Sequence, residues 1–194
     1  MRAVPDDHLG PTEHAVYLAA AMTGLRQCEL IALRWMDIDW QARRVRVRRN
    51  YTRQQFGTPK SRRSSRSVPM TDRVAAELER HFQASEFQAD HDLVFAHPYT
   101  GHPLDDSKLR KRFKEALGRA GLRSVRFHDL RHTFGTHCAS AGVPLRTLQE
   151  WLGHRDFTTT LIYADYAPNP HEAELVEQAF RLPDPQRVAP EVLP

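Results

Sequence analysis

The chain has 194 residues, enough to bury the core of one domain, and only two cysteines, too few for a disulfide framework. Its longest early apolar run, residues 15–22, is too short to span a bilayer, so we expect no membrane partner. The net charge of +4 is unevenly distributed, because residues 41–71 hold nine arginines, one lysine and no acidic residue, which leaves −6 on the rest. Such a basic segment is typical of nucleic-acid-binding proteins.

The first 40 residues predict two helices that meet at a glycine. One helix should begin at Pro11 and end at Gly24, and a second should follow directly. Arg26 lies at the joint, where a backbone bend can direct its side chain into a cleft. Residues 35–40 predict a turn that leads into strand structure.

The basic segment has the alternation of a β-strand. Valines and arginines alternate over residues 44–48, which puts the valines on one face and the arginines on the other. Residues 57–59 predict a turn and residues 66–69 a closing strand, so we expect a small antiparallel ribbon or three-stranded sheet whose basic face lies against a phosphate backbone. Lys60 is the only lysine in this segment, which suggests that this position needs a transferable proton, because arginine does not supply one.

Helices should dominate the remainder of the chain. The predicted elements are a helix from Thr71 to about His81, a short buried stretch at 93–95, a helix that begins at Asp105 or Asp106 and ends at Gly121, and an amphipathic helix at 171–182. Residues 183–194 are rich in proline and predict a disordered tail.

The stretch from His128 to Tyr163 concentrates side chains suited to chemistry on a phosphate. His128 and Arg131 are three residues apart near the start of a predicted helix, so both can face one ligand. His154 follows a Leu-Gly break, and Tyr163 comes nine residues later. An arginine, two histidines and a phenol together indicate phosphate chemistry with tyrosine as the nucleophile.

The motifs and their order resemble the catalytic domain of the tyrosine recombinase, or phage integrase, family over residues 12–181. The motifs that carry the resemblance are TGLRQCEL at 23–30, Lys60 six residues before RSVP at 66–69, HDLRHT at 128–133, LGH at 152–154 and TTLIY at 159–163. The resemblance implies an α+β, mainly α-helical catalytic domain with a small antiparallel three-stranded basic sheet. It also implies an enzyme that cleaves and rejoins double-stranded DNA through a 3′-phosphotyrosyl intermediate, with no metal, ATP or other cofactor.

The resemblance also assigns roles to individual residues. It implies that Arg26 and Arg131 hold the non-bridging oxygens of the scissile phosphate, and that Lys60 protonates the departing 5′-oxygen. It implies that His128 assists proton transfer, that His154 hydrogen-bonds the phosphate and that Tyr163 is the nucleophile. The expected DNA-contacting arginines of the basic segment are Arg44, Arg46, Arg48, Arg62 and Arg63.

Domain organisation and partners follow from the same resemblance. We expect residues 1–182 to be the catalytic domain, without the N-terminal helical domain that usually clamps the DNA, and residues 183–194 to be the tail. Other recombinase protomers on DNA are expected partners, with the helix at 171–182 as a candidate contact. The expected location is the cytoplasm, in association with the nucleoid.

Four alternatives stay open. The chain could be a truncated integrase remnant that only binds DNA, or it could have an activity like that of a type IB topoisomerase. Tyr166, three residues after Tyr163, could replace it as the nucleophile. A metal site at His128, His132 and His137 is disfavoured, because Arg131 would repel a cation from that helix face.

Overall fold

The computed structural model describes residues 4–57, 65–166 and 174. Within these ranges the helices are α1 Gly10–Thr23, α2 Gln27–Ile31, α3 Asp72–Ala84, α4 Asp106–Arg119, α5 Asp129–Ser140, α6 Leu145–Leu152 and α7 Thr158–Leu161, with short 3-10 helices at Trp35–Asp37 and Ala164–Tyr166. The strands are β1 Ile38–Asp39, β2 Arg44–Val47, β3 Asn50–Thr52, β4 Gln55–Gly57 and β5 Arg66–Pro69. The predicted α+β, mainly helical class is therefore confirmed.

The joint between α1 and α2 forms where the sequence predicts it. Gly24 has φ 64°, and its N–H donates to the Ala20 carbonyl at 3.2 Å, which ends α1. A Cβ at Gly24 would lie 2.5 Å from Cδ1 of Phe134, so glycine is required both for the backbone conformation and for space. Arg26 then has extended backbone and precedes α2, while the Glu29 carboxylate accepts from the Arg26 N–H at 2.8 Å.

The predicted three-stranded antiparallel sheet is present, in the order β1-β2-β5. Val45 lies opposite Val68, and both are buried, whereas Arg46 lies opposite Ser67 and is exposed. The alternation of valine and arginine therefore gives one face to the core and the other to solvent.

A second hairpin, β3–β4, was not predicted. Tyr51 pairs with Phe56 across it, and its two turn residues, Arg53 and Gln54, have φ 51° and 60°. Positive φ at both central residues is the geometry of a tight hairpin turn, for which Asn-Gly is the usual sequence signal. Arginine and glutamine are not such a signal, so the sequence does not predict this turn.

Side-chain caps begin α3 and α4. The Thr71 hydroxyl accepts from the Val74 N–H at 3.3 Å, and the Asp105 carboxylate accepts from the N–H groups of Ser107 and Lys108 at 2.9 and 2.7 Å. Both helices begin where the sequence predicts, at Thr71 and at Asp105 or Asp106, although α3 ends three residues after the predicted end near His81, at Ala84.

Helix α5 lies at the centre of the helical part of the fold, packed against α1 and α6, while α1 also packs on α3. The predicted stretch at 93–95 is buried and forms an isolated bridge to Arg34. Lys60, Arg62 and Arg63, the helix at 171–182 (except Glu174) and the tail at 183–194 lie outside the described residues. No helix in the described part is both long and apolar enough to cross a membrane.

Candidate active site

Arg26 and Arg131 converge on the C-terminal end of α6. Nη1 of Arg131, which is only 3% exposed, donates to the Gly24 carbonyl at 2.7 Å, and Nη2 donates to the Leu152 carbonyl. Nη2 of Arg26 donates to the next carbonyl, that of Gly153, at 3.4 Å. Helix C-termini expose unpaired carbonyls that attract cations, so the end of α6 helps to hold two arginines from distant parts of the chain together.

Glu29 is a buried carboxylate shared by two arginines. Its two oxygens accept from both Nη groups of Arg66 at 2.8 Å, and Oε1 also accepts from Nη1 of Arg26 at 3.0 Å. Burial alone would raise the pKa of the Glu29 carboxyl, but the hydrogen bonds and charge of Arg66, together with the charge of Arg26, lower it to about 2. Glu29 is therefore ionised and fixes the direction of both guanidinium groups.

The surroundings of these arginines favour an anion. Burial, followed by the charges of Arg26 and Arg66, lowers the pKa of Arg131 to about 9. Burial and then the charges of Arg131, Arg26 and Arg66 lower the pKa of His154 to about 4. In both cases burial is the larger cause, and the excess of positive charge over the one carboxylate of Glu29 adds to it. A bound phosphate would offset that excess charge.

The two predicted histidines flank the arginines. His128 precedes α5, and burial, followed by the charge of Arg131, lowers its pKa. His154 follows Gly153, which ends α6 with φ 63°, and its Nδ1 lies 3.0 Å from the hydroxyl of the fully buried Thr160. The Thr160 carbonyl also accepts from the Tyr163 N–H at 3.0 Å. Thr160 therefore connects His154 to the segment that bears the tyrosine.

Tyr163 is buried against α5, with only 2% of its surface exposed. Its ring lies over Gly135, where a Cβ would come within 2.4 Å of the Tyr163 Cζ. Its hydroxyl lies 3.1 Å from Nδ1 of His132. Burial raises the pKa of Tyr163, and the charge of Arg131 only partly offsets this effect.

Two open clefts lie beside the arginines. The larger, of about 760 Å³, is lined by Arg26, His128, the β3–β4 hairpin tip and the N-terminal end of α4. The smaller, of about 400 Å³, is lined by Arg44, Arg66, Gly153 and His154, among others. Tyr163 lines neither of them.

The arginines of the sheet have local acceptors. Arg44 donates to the Ser67 hydroxyl and carbonyl at 2.7 and 2.9 Å, and Arg46, 46% exposed, pairs with Asp39. Nε of Arg48 lies 3.9 Å from the buried Asp37. The basic segment contains no acidic residue, yet the turn just before it supplies carboxylates to its arginines.

The comparison with known proteins establishes the family. A model of the phage integrase family matches residues 1–169. The chain belongs to the phage integrase family.

Two relatives illustrate the similarity. A tyrosine recombinase XerC-like protein of Caldanaerobacter subterraneus subsp. tengcongensis is 33% identical over 178 residues, which cover 79% of this chain and 46% of that protein. The tyrosine recombinase XerC of Xylella fastidiosa (strain 9a5c) is 34% identical over 159 residues, covering 81% and 50%. The chain thus spans about half the length of the curated relatives that it matches.

Solved structures of the family have the same fold. The Tn1549 transposon integrase in complex with transposon right end DNA superposes with a TM-score of 0.70 at 21% identity, covering 90% of this chain and 61% of that one. The catalytic domain of bacteriophage HP1 integrase gives a TM-score of 0.56 at 21% identity, covering 88% and 83%. The predicted integrase-type catalytic fold is therefore confirmed.

Sequence reasoning missed several residues of this family member's candidate site. Glu29 had a usable signal, since an acidic residue three positions after the residue that precedes a helix is a capping pattern. His132 lies in the HDLRHT motif and in the disfavoured metal site, and Arg66 lies in the RSVP motif and the closing strand, but the sequence assigns neither residue a role in the active site. Among the described residues, no group of three His, Cys, Asp or Glu side chains could hold a metal ion.

Proposed function

We propose that this chain is the catalytic domain of a site-specific DNA recombinase that cleaves and rejoins DNA strands through a 3′-phosphotyrosyl intermediate. The observation that supports this most is the convergence of Arg26 and Arg131 on the end of α6, beside His128 and His154. Membership of the phage integrase family favours a recombinase over a type IB topoisomerase.

In the proposed reaction the arginines stabilise a phosphodiester under attack. The phosphate gains charge on its non-bridging oxygens, and guanidinium groups held by Glu29 and the α6 carbonyls meet that charge without reorganisation. Oη of Tyr163 forms a bond to phosphorus while the bond from phosphorus to the 5′-oxygen breaks. The phosphotyrosine keeps the energy of the broken bond, so rejoining requires neither ATP nor metal.

Lys60 is proposed as the acid that gives a proton to the departing 5′-oxygen. The support is its isolation among arginines and its position six residues before Arg66, which lies in the site. A proton delivered to a poor leaving group is worth about 10²–10⁴-fold in rate. Lys60→Arg keeps the charge but not the transferable proton, so a substrate with sulfur in place of the bridging 5′-oxygen should restore its cleavage rate.

Double-stranded DNA is the proposed partner, contacted in part by Arg44, Arg46 and Arg48, and by Arg62 and Arg63 further along the basic segment of the sequence. Related structures are described as complexes of Tn1549 integrase with circular intermediate DNA and of XerH with difH substrate. Other protomers on the same DNA are further proposed partners, with residues 171–182 as the candidate contact. Such a protein would work in the cytoplasm, at the nucleoid.

Trapping a covalent adduct tests this function. A DNA duplex nicked near the cleavage site loses a short fragment after attack, so the phosphotyrosyl enzyme accumulates and can be seen as a slower band on a denaturing gel. The unmodified chain should form the band, and Tyr163→Phe should not, because only the nucleophilic oxygen is removed, while DNA binding should persist.

Tyr166→Phe is the control and should still form the adduct. If Tyr166→Phe forms no adduct and Tyr163→Phe forms one, the nucleophile is misassigned. A chain that binds DNA but yields no adduct on any cleavable site would be the DNA-binding remnant instead.

A further inference from the structure

One face of α5 forms the seat of Tyr163. His132 and Gly135 are three residues apart and therefore lie on the same side of the helix. Gly135 leaves room for the ring, because any Cβ there would overlap it, and His132 meets the hydroxyl at 3.1 Å. The seat thus fixes both the plane of the ring and the environment of the oxygen that is to react.

A phenol in this seat needs a proton acceptor. The free phenol has a pKa of about 10, and burial of Tyr163 raises its pKa further. The oxygen must nevertheless lose its proton as it bonds to phosphorus. A base has to lie within hydrogen-bond reach of that proton, and Nδ1 of His132 does so.

We propose that His132 is a catalytic residue that accepts the proton of Tyr163 during strand cleavage, an inference that rests on the proposed function. The step uses the neutral tautomer in which Nε2 carries the hydrogen and Nδ1 offers its lone pair. The O–H bond of Tyr163 breaks, its proton moves to Nδ1, and the freed electron pair of the oxygen forms the bond to phosphorus. The 5′-oxygen leaves with a proton from Lys60, and in rejoining His132 returns its proton to Tyr163.

The two histidines at the start of α5 then have separate roles. The rings of His128 and His132 meet edge to face, with centroids 5.2 Å apart. His128 lines the larger open cleft with Arg26, which suits contact with DNA, whereas His132 contacts the tyrosine. The proton of Tyr163 therefore moves to His132, and His128 acts on the phosphate.

His132 lies among several charged and titratable groups. Asp129 lies one turn earlier on the same helix, and its carboxylate interacts favourably with a positive imidazole. Burial, followed by the charge of the buried Arg131, lowers the pKa of His128 and of His154. The titratable and charged groups around His132 are His128, Asp129, Arg131, His154 and Tyr163.

The test compares two substitutions at His132, one that keeps a hydrogen-bond acceptor but no base, and one that makes room for an added base. In His132→Asn the side-chain oxygen can still accept a hydrogen bond from Tyr163 but cannot take its proton. His132→Ala leaves a space that free imidazole can enter. His137→Asn is the matched control, because His137 lies on the same helix but is exposed. Adduct formation is measured in a single turnover with saturating nicked DNA, from about pH 6 to 10, where imidazole and phenol titrate.

We expect His132→Asn to bind DNA and melt like the unmodified chain while forming the adduct about 10²–10⁴-fold more slowly. Its rate should rise with pH across the whole range, since hydroxide must replace the lost base. His132→Ala should regain activity as free imidazole is added, whereas His137→Asn should match the unmodified chain.

Cleavage by His132→Asn at the unmodified rate, or a His132→Ala variant that binds DNA but ignores imidazole, would overturn the inference. Failure of the proposed function gives a different pattern. If the unmodified chain forms no adduct, the function and this inference fall together. If it forms one that Tyr163→Phe abolishes, the function stands and only the role of His132 is in question.

Discussion

Arginines behave differently in two regions of this molecule: the buried cluster at the end of α6 and the outer face of the β1-β2-β5 sheet. Arg131 is 3% exposed and the side chain of Arg66 is 5% exposed, and each is held by several acceptors. Arg46 and Arg48 are 46% and 39% exposed, and each has one carboxylate near it. The cluster is therefore rigid and suits the proposed role of an anion site, whereas the sheet is a solvent-screened basic surface whose arginines would exchange their carboxylates for phosphates in the proposed DNA complex.

The contrast shows that counting the charged residues of a segment does not reveal which of its arginines lack an acidic partner. The basic segment has no acid of its own, yet Asp37 and Asp39 reach its arginines from just before it. The buried cluster, with fewer arginines, has stronger effects on neighbouring groups, because burial reduces screening. Three predictions follow in order of decreasing expected effect: the first and third test the two groups of arginines, and the second tests the packing of Tyr163 beside the buried cluster.

Glu29→Gln should cost the most. The substitution leaves the buried Arg66 without its ionised partner, and removing one member of a buried ion pair typically costs about 3–5 kcal/mol. The matched control is Glu150→Gln, whose carboxylate lies 3.9 Å from Arg146 with both side chains more than half exposed, and which should change stability by less than about 0.5 kcal/mol. Urea unfolding of the three proteins measures both effects, and equal midpoints would show that the cluster is no stronger than a surface pair.

Gly135→Ala should have an intermediate effect. Its new methyl group would collide with Tyr163, and overpacking of this kind costs about 1–3 kcal/mol. Gly118→Ala is the control, because Gly118 lies in α4 with open space around it, so alanine there should stabilise the helix by about 0.5–1 kcal/mol. Thermal melting curves should therefore shift in opposite directions. A stabilising Gly135→Ala would mean that Tyr163 does not rest on α5.

Arg46→Ala should have the smallest effect, and it should appear in DNA binding instead of folding. Removing one arginine that neutralises a phosphate should make the dependence of log affinity on log salt concentration shallower by about one unit, and Arg48→Ala should add to the change. Arg80→Ala removes another exposed, carboxylate-paired arginine, on α3, and should leave the slope unchanged. Fluorescence anisotropy at several salt concentrations measures the slopes. An unaltered slope for Arg46→Ala would place the DNA interface away from the sheet.

Much of the fold could be predicted because its signals are local. The capping residues Thr71 and Asp105 and the break at Gly24 each act within three or four positions of the chain. The alternation of β2 works in the same way, since its period fixes which side chains face the core. The β3–β4 hairpin was not predicted because its turn residues, Arg53 and Gln54, have positive φ, a backbone conformation that is not typical of arginine or glutamine.

The candidate site was predicted as a set of residues but not as an arrangement. The order of its motifs is enough to single out Arg26, Arg131, His128, His154 and Tyr163. The motifs do not reveal that Tyr163 is buried and lies outside both open clefts, or that His132 holds its hydroxyl. The roles assigned to these residues remain predictions, and those of Lys60, Arg62 and Arg63 rest on sequence alone.

By itself, the sequence determined the break between α1 and α2, the starts of α3 and α4, which face of the sheet is buried, and the residue types available for phosphate chemistry. The tertiary structure decided which arginines are buried and which partners they have. The physical reason is distance along the chain: Glu29 meets Arg66 across 37 positions, and His132 meets Tyr163 across 31. No local propensity encodes such pairs, because they form only when α5, α6 and the sheet have packed and removed water from between them.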